Sequence, residues 1–411
     1  MTATPDSREA PSQPIGLSIT SLDPGFSANP HEVLDRLRDE TPVVYDPVLQ
    51  RYVVTRAADV EAVLRDRDLS VDARKAPEGS FMARLADRRR DRGQPSMLML
   101  DPPDHDRLRG LVNKAFTPKA VEAVAPRVRE IAEELLDGLA GREGFDVIHD
   151  FSAPLPTIVI AEMLGVDPKD QKRFKAWSDE IVHGLNPFIS EEQRAKSEQA
   201  SAEMNAYLRE AVEERRRDRK HDLISAMIAA EENGEQMTDE EIVTMVGLLL
   251  AAGNLTTTDL IGNGMLAFLR NPGEWRKLCD DPSLAQNAVE EMLRYDPPVT
   301  QSGRLALRDT SVGGCPVHAG SSISPVLLAA NHDPALNPNP HQFDISREEI
   351  HHVSFGGGRR YCLGAPLARL EAQIAVSALA RRFPNLHLAP GELQWRTVPG
   401  FRGLVKLPVL V

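Results

Sequence analysis

Apolar residues recur every three to four positions through most of the middle of the chain, which predicts a mainly helical protein. This pattern extends from about residue 104 to residue 290. Within it, the segment TDEEIVTMVGLLLAAGNLTTTDLIGNGMLAFLRN predicts one helix of about 33 residues, long enough to cross a whole domain. A further helical pattern follows residue 362 and continues to residue 382.

Two stretches alternate instead between apolar and polar residues, which is typical of short strands. PVVYDPVLQRYVVTR predicts two strands around a turn, and residues 299–328 predict several more. Residues 71–100 lack either period and predict a long loop of the kind that covers binding sites. Neither an internal repeat nor a linker is visible, so residues 15–411 are expected to form a single, mainly α domain with a small β part, behind a disordered tail of residues 1–14.

The composition narrows the classes of function. The net charge of −13 argues against nucleic acid as the main partner, because phosphate binding requires a basic surface. The first residues lack the apolar core of a signal peptide, and the longest apolar run, residues 245–253, is too short to span a membrane. Cys279, Cys315 and Cys362 have no disulfide-like spacing, so a reducing cytoplasm and no membrane anchor are expected.

One cysteine lies in an unusual setting, the stretch HHVSFGGGRRYCLG at residues 351–364. Cys362 precedes a predicted helix, where free N–H groups and the helix dipole favour a thiolate. The glycines allow the backbone to turn so that amides point at the sulfur. A single thiolate ligand to haem iron needs this environment. A buried structural cysteine is the alternative, and this stretch alone leaves both open.

The segment FGGGRRYCLG, Phe355 to Gly364, resembles the haem-binding loop of the cytochrome P450 family. The resemblance implies haem b with Cys362 as its axial thiolate and metal ligand, and Phe355 as a shield of the sulfur, with Gly356 and Gly364 in the same motif. It also implies the cytochrome P450 fold, with haem between a long central helix and the helix after the cysteine loop. Other family segments occur in the expected order over nearly the whole chain.

In EEMLRY, Glu291 and Arg294 lie three residues apart on one helix face. By resemblance, this pair ties its helix to the irregular segment, or meander, before the cysteine loop. The alternative, an exposed helix salt bridge of little energetic value, is common.

The family resemblance also implies which cations bind the haem propionates. His105 and Arg109 lie four apart in HDRLR, on one helix face. Arg304 follows on a predicted strand, and His352 comes just before the loop. For each of the four, a solvated side chain is the alternative.

LLLAAGNLTTTDL resembles the helix that crosses over the haem in this family. The small residues Ala252 and Gly253 are expected to leave room for O2, and Thr256 to pass protons during oxygen activation. A threonine within a helix can also bond back to a carbonyl of its own helix.

This helix departs from the family pattern, because Leu255 stands where Asp or Glu usually relays protons. Asp259, Asn254 or ordered water is expected to supply them instead, Asp259 lying about one turn beyond Thr256. Direct use of peroxide, which needs fewer delivered protons, is the alternative.

By resemblance, the substrate pocket is lined mostly by apolar residues, which suits a lipophilic small molecule of terpenoid, steroid, aromatic or fatty type. The expected lining residues are Met97, Leu248, Ala251, Val299, Thr300 and Phe401.

The expected activity is hydroxylation of a C–H bond with O2 by a cytochrome P450 monooxygenase, acting as a monomer. Electrons are expected from a separate ferredoxin and its reductase, docked on a basic face formed by Arg107, Lys114, Arg359 and Arg360. Two alternatives stay open: a peroxide-using, coupling or desaturating haem-thiolate enzyme, and a haem-binding sensor or carrier without turnover.

Overall fold

Helices make up most of the protein, as the spacing of its apolar residues predicts. The structure is a computed structural model that describes residues 18–47, 49–87, 94–113, 116–186, 188–232 and 235–411, so the predicted tail of residues 1–14 lies outside the described part. The described α-helices are Pro24–Ala28, His31–Glu40, Ala57–Arg65, Phe81–Asp87, Asp104–Asn113, Pro118–Asp137, Pro154–Leu164, Gln171–His183, Glu191–Arg217, Leu223–Ala229, Asp239–Arg270, Pro272–Asp280, Ala285–Tyr295, Leu327–Asn331 and Ala365–Arg382.

Short strands form the smaller β part. They are β1 (Val43–Asp46), β2 (Arg51–Val54), β3 (Leu69–Ser70), β4 (Gly144–Asp146), β5 (Glu231–Glu232), β6 (Glu235–Gln236), β7 (Arg304–Ala306), β8 (Thr310–Val312), β9 (Cys315–Val317), β10 (Ser322–Pro325), β11 (His387–Leu388) and β12 (Pro408–Leu410). The largest sheet has the order β1-β2-β10-β7-β3, with β2 and β10 parallel and the other pairs antiparallel. This sheet carries Arg304 on β7 and is next to the helix Ala57–Arg65.

The long helix Asp239–Arg270, called the central helix below, passes through the main apolar core. Thr238 caps its first turn by accepting from the Glu241 N–H, while the Glu241 carboxylate accepts from the Thr238 N–H. Its apolar residues are buried on several sides rather than on one stripe, because helices Pro154–Leu164, Glu191–Arg217 and Ala365–Arg382 all pack against it. The helix Ala365–Arg382 is called the cysteine helix.

The central helix also meets the length and composition criteria of a membrane span, as does the stretch Val147–Leu164. In each case more than half of the apolar window is buried inside the protein, at 56% and 67%. A buried core helix passes the same criteria, so this finding is a weak indication of a membrane. The expectation of a protein without a membrane anchor stays a prediction.

The predicted Glu291–Arg294 pair is buried, since both side chains have 0% relative exposure. The guanidinium donates to both Glu291 oxygens at 2.7 and 2.8 Å and to the Pro340 and Gln342 carbonyls at 2.7 and 3.1 Å. Glu291 in turn accepts the backbone N–H of Asp344 at 2.9 Å. The pair thus holds helix Ala285–Tyr295 to the meander, and the alternative of an exposed salt bridge is wrong.

The described parts of the predicted loop, residues 71–87 and 94–100, contain more regular structure than their sequence predicts. They contain the helix Phe81–Asp87 and the 3-10 turns Ala73–Lys75 and Met97–Met99. Asp72 starts the first turn by accepting the Arg74 N–H, which is a local cap rather than a periodic signal. Turns of this length are too short to produce a readable period.

Candidate active site

Two glycines in left-handed conformation fold the loop around Cys362 back on itself. Gly356 and Gly358 have φ angles of 72° and 61°, which residues with side chains rarely adopt. The Cys362 N–H donates to the Phe355 carbonyl at 2.9 Å and closes the loop. A Cβ atom on Gly358 would come within 3.2 Å of the backbone of helix Ala57–Arg65. Glycine is therefore needed both for the turn and for the close approach.

The Cys362 thiol receives the amide donors that the sequence predicts. The backbone N–H groups of Gly364 and Ala365 bond to the sulfur, at the start of the cysteine helix. Cys362 is accessible to solvent, yet surrounding protein raises the pKa of its thiol through desolvation. The two amides and the charge of Arg109 oppose that rise. The site therefore favours a thiolate chiefly when a cation is bound to the sulfur.

A cluster of cations lies beside this loop, formed by His105, Arg109, Arg304 and Arg360. Burial, and then the charge of Arg360, lower the pKa of Arg304 to about 10. Burial, with Arg360 and Arg109, likewise lowers the pKa of His105. Arg360 donates to Asp101 at 3.1 Å, and Arg109 donates to the Tyr361 carbonyl at 2.6 Å. The buried positive charges of Arg304 and Arg360, with the partly exposed Arg109 and the imidazole of His105 beside them, suit a ligand with carboxylate groups.

The structure places His352 outside this cation cluster. Its Nε2 lies 3.0 Å from Glu290, and its Nδ1 accepts the Ser354 N–H at 3.3 Å. Glu290 also accepts two bonds from Arg369, at 2.6 and 2.8 Å. Although burial alone would raise it, the pKa of Glu290 falls to about 2 because Arg369 and His352 bond to its carboxylate. Both ring nitrogens of His352 are thus engaged within the chain, and its expected role as a propionate ligand stays a prediction.

The three expected ferredoxin-docking residues that the structure describes differ in exposure. The Arg360 side chain is only 13% exposed and joins the cation cluster, which does not favour its assignment to a docking surface. Arg107 pairs with Glu241 at the start of the central helix. Arg359 is 34% exposed, whereas Lys114 lies outside the described residues.

On the central helix, Ala252 and Thr256 lie on one face, four residues apart. Ala252 is exposed to open space, and the Thr256 hydroxyl donates to the Ala252 carbonyl at 2.9 Å, the back-bond that the sequence predicts as an option. Gly253 does not share this face, because a Cβ there would lie 3.3 Å from the side chain of Ile160. Its small size therefore serves helix packing, and the expectation that it also leaves room for O2 stays a prediction.

Leu255 belongs to a small apolar cluster separate from the main core. Its neighbours there are the buried Val182 and Val398, with Phe401 packed against them. Leu255 is 4% exposed, so the position is dry as well as apolar. An acid in the same place would be desolvated among these side chains, which gives the departure from the family pattern a packing reason.

Asp259 is buried and paired with Arg396, which donates to its Oδ1 at 2.6 Å. Desolvation raises the pKa of Asp259 to about 7, although Arg396 opposes the rise. Its Oδ2 has no hydrogen-bond partner among the described residues. Asn254 is also buried, and its carbonyl oxygen accepts the Thr258 hydroxyl at 3.4 Å. Of the two expected proton donors, Asp259 is the titratable one.

A second buried carboxyl near Thr256 was not predicted. Glu371 on the cysteine helix is 1% exposed and bonds to Thr257, the residue after Thr256. Burial raises the pKa of Glu371 to about 8, while the bond to Thr257 opposes the rise. The contact joins the two helices that flank the site. The helical periodicity of the sequence places Glu371 on the inner face of the cysteine helix, but the partner on another helix cannot be read from it.

Two expected pocket positions meet in the structure. Val299 and Phe401 form an antiparallel bridge, and the Thr300 N–H donates to the Gly400 carbonyl at 2.9 Å. Thr300 is 2% exposed, so it supports this strand entry more than it lines a surface.

The other expected lining positions divide by exposure. Leu248 and Ala251, on the central helix, are half-buried. Met97 is 4% exposed and packs in the main core, whereas its neighbour Leu98 is 55% exposed. The turn Met97–Met99 thus presents Leu98 outward and Met97 inward, and the expected lining role of Met97 stays a prediction.

With this geometry in place, comparison with known proteins is decisive. The family model described as Cytochrome P450 matches residues 11–410. The chain belongs to the cytochrome P450 family. It is 40% identical over 401 residues to Cytochrome P450 107B1 of Saccharopolyspora erythraea, covering 95% of this chain and 97% of that protein.

Solved structures of other cytochromes P450 have the same fold. The myxobacterial CYP267B1 in complex with myristic acid has a TM-score of 0.88 and 39% identity, covering 95% of this chain and 98% of that one. P450BioI, in complex with an acyl carrier protein bearing hexadec-9Z-enoic acid, has a TM-score of 0.86 and 35% identity, covering 94% and 98%. The predicted fold class is confirmed.

Membership in the cytochrome P450 family also confirms the predicted enzyme class and cofactor. The chain is an oxidoreductase that incorporates oxygen, and the cofactor of the family is haem b. A sensor or carrier without turnover is therefore set aside. The residues present fit this cofactor, since a cysteine with amide donors lies next to a buried cluster of cations suited to propionates.

Proposed function

We propose that this cytochrome P450 hydroxylates a C–H bond of a lipophilic small molecule in the cytoplasm. One oxygen atom of O2 enters the C–H bond, and the other leaves as water with two electrons and two protons. The observation that carries the proposal is the cysteine loop, whose amides point at Cys362 beside the cation cluster. When bound, haem with a thiolate ligand supplies the O–O cleavage.

The cofactor-binding roles follow from the contacts. Cys362 is the proposed axial ligand, and Phe355 shields it. The Arg369 guanidinium lies 4.6 Å from the Phe355 ring centroid and holds that ring in place. The proposed propionate ligands are His105, Arg109, Arg304 and Arg360. Arg360 is an addition to the expected set, in which the role of His352 stays a prediction.

We expect Arg360→Ala to weaken haem retention by about 10- to 100-fold, because it removes a charge-assisted hydrogen bond. The rate of haem transfer to apomyoglobin measures this. Arg359→Ala is the matched control, one residue away and more exposed. Equal haem transfer rates for the two variants would refute the assignment of Arg360.

A fatty or similarly lipophilic substrate is supported by the half-buried apolar side chains of three expected pocket residues, Leu248, Ala251 and Phe401. Two structural relatives were solved with myristic acid and with an acyl carrier protein bearing hexadec-9Z-enoic acid, respectively. The test is turnover of medium- and long-chain fatty acids under ¹⁸O2, with ferredoxin and its reductase. Hydroxylated product with one labelled oxygen is expected. Turnover without labelled product would overturn hydroxylation.

Separate electron donors are part of the proposal. A ferredoxin is expected to bind near Arg359, which belongs to the expected basic face. The Arg359 side chain is 34% exposed, so its charge can contact an acidic partner protein. Slower reduction of Arg359→Ala by ferredoxin at low salt would support this face, whereas an unchanged rate would count against it.

Asp259 is the proposed proton donor in place of the acid that Leu255 replaces. Below pH 7 the carboxyl keeps its proton, and above pH 7 it loses it, because its pKa is raised to about 7. The yield of product per electron pair is therefore expected to fall as pH rises through 7 in the native protein. Asp259→Asn should have a low yield at every pH and no inflection near 7.

Asp179→Asn is the control for this change. Asp179 pairs with Lys175, is partly exposed, and acts on Asp259 only through its charge. It should keep an inflection, but at lower pH, because the negative charge of Asp179 helps to raise the pKa of Asp259. An inflection retained in Asp259→Asn would assign the proton to another group.

Direct use of peroxide is the second candidate, and the dry apolar cluster around Leu255 favours it. The ratio of peroxide-driven to ferredoxin-driven turnover decides between the two. In a Leu255→Asp variant, an unchanged coupling of electron use to product would remove any special role for this position.

A further inference from the structure

We propose that His31, His332 and His341 form a binding site for one divalent transition-metal ion, of the Zn²⁺ class, outside the haem site. The three residues come from different parts of the chain: the helix His31–Glu40, the end of helix Leu327–Asn331, and the meander. One ring nitrogen of each lies within 4.8 Å of those of the other two. Imidazole is the preferred neutral nitrogen ligand for zinc and similar ions.

The rings are arranged around a common centre. Their centroids are 4.3 Å (His31 to His332), 5.2 Å (His31 to His341) and 5.5 Å (His332 to His341) apart. Three imidazoles on a tetrahedral zinc ion, with Zn–N bonds of about 2.0–2.1 Å, have centroids about 5 Å apart. A small movement of the most exposed ring, His341, completes the ligand distances.

Hydrogen bonds to the outer nitrogens fix which nitrogen of each ring faces the centre. The Nδ1 of His332 lies 3.1 Å from the Leu328 carbonyl and donates to it, which leaves Nε2 as the acceptor. That Nε2 is buried without a partner. The Nε2 of His341 lies 2.8 Å from Asp35, which leaves its Nδ1 free. Carbonyl and carboxylate partners of this kind orient metal-binding histidines.

His31 adds the third nitrogen, because its Nδ1 is also buried without a partner. Two unpartnered imidazole nitrogens in one small cluster are costly to bury, and a metal ion would satisfy both. Burial favours the neutral form of the two inner rings, His31 and His332. Burial, then the charges of His341, Arg402 and Arg294, lower the pKa of His31 to about 3.

Positive and negative side chains near the three histidines have opposite effects on the binding of a cation. Arg402 and Arg294 disfavour a further cation, as their effect on His31 indicates. Asp35, bonded to His341, offsets part of this charge. The His341 side chain is 48% exposed, so an ion enters from that side and keeps a water as its fourth ligand. Bound there, the ion would link the N-terminal helix to the meander.

The test is calorimetric titration of the haem-loaded protein with ZnCl2 at neutral pH, beside His341→Ala. Native protein is expected to bind one Zn²⁺ per chain at this site, and its thermal unfolding midpoint should rise with Zn²⁺. In His341→Ala the affinity should fall at least tenfold and the rise should disappear. His318→Ala, which removes another exposed histidine, should behave as native protein.

His341 is the residue of choice because its exposure makes misfolding of the variant improbable, and His31→Gln is the second variant. Equal Zn²⁺ affinity in native protein, His341→Ala and His31→Gln would overturn the proposal. The proposal would also fail if native protein bound no more Zn²⁺ than His341→Ala does.

Discussion

Cys362→Ser is expected to remove the absorption band at about 450 nm that the dithionite-reduced protein forms with carbon monoxide, because that band depends on a thiolate ligand. Turnover with ferredoxin should fall to background. The glycine turns and the amides of Gly364 and Ala365 are backbone features, so the loop itself should persist in the variant.

Cys315→Ser is the matched control, since Cys315 lies on β9, in a different sheet from the one next to the loop. It should keep both the band and the turnover. A band at about 450 nm in Cys362→Ser would contradict the ligand assignment, and its absence from native protein would refute thiolate ligation altogether.

Arg294→Ala is expected to lower the free energy of unfolding by about 3–5 kcal/mol, because it leaves the Glu291 carboxylate buried with fewer partners. It also removes the donors to two meander carbonyls. The loss should be visible as a lower urea midpoint, followed through tryptophan fluorescence and the Soret band together.

Arg65→Ala tests the same chemistry at the surface, since the Arg65 side chain is 69% exposed in its pair with Glu61. A change of only about 0–1 kcal/mol is expected there. Similar losses in both variants would mean that the buried pair does not anchor the meander.

Much of this architecture was readable from the chain. The central helix, the cysteine helix and the strands β1 and β2 follow from periodicity, because each has a regular apolar pattern over its whole length. The cysteine loop was readable for a different reason. Its turns require the left-handed conformation at Gly356 and Gly358, and the run of glycines in the sequence indicates this directly.

What the sequence did not predict depends on the direction of individual side chains. Arg359 and Arg360 are adjacent and identical, yet one is partly exposed and the other lies in the cation cluster. Met97 and Leu98 differ in the same way within one short turn, since Met97 is buried and Leu98 is exposed. A 3-10 or loop segment has no long period, so the sequence carries no signal for which neighbour faces inward.

Contacts between distant segments were equally invisible. Asp259 pairs with Arg396, which is 137 residues further along the chain, and His31 lies against His332, which is more distant still. The sequence predicts that Gly253 leaves room for O2, but it does not indicate that Ile160 of another helix lies beside this glycine. A small residue in a helix has both meanings, and only the packing of the second helix decides between them.

The back-bond of Thr256 has a consequence for the order of events on the open face of the central helix. A hydroxyl has one hydrogen, and here it is committed to the Ala252 carbonyl. Toward the open space, Thr256 therefore offers lone pairs and is an acceptor at rest. Before Thr256 can act as a donor toward that space, its side chain must rotate and give up a hydrogen bond worth about 1 kcal/mol. Proton release by Thr256 would therefore require a change of its side-chain rotamer.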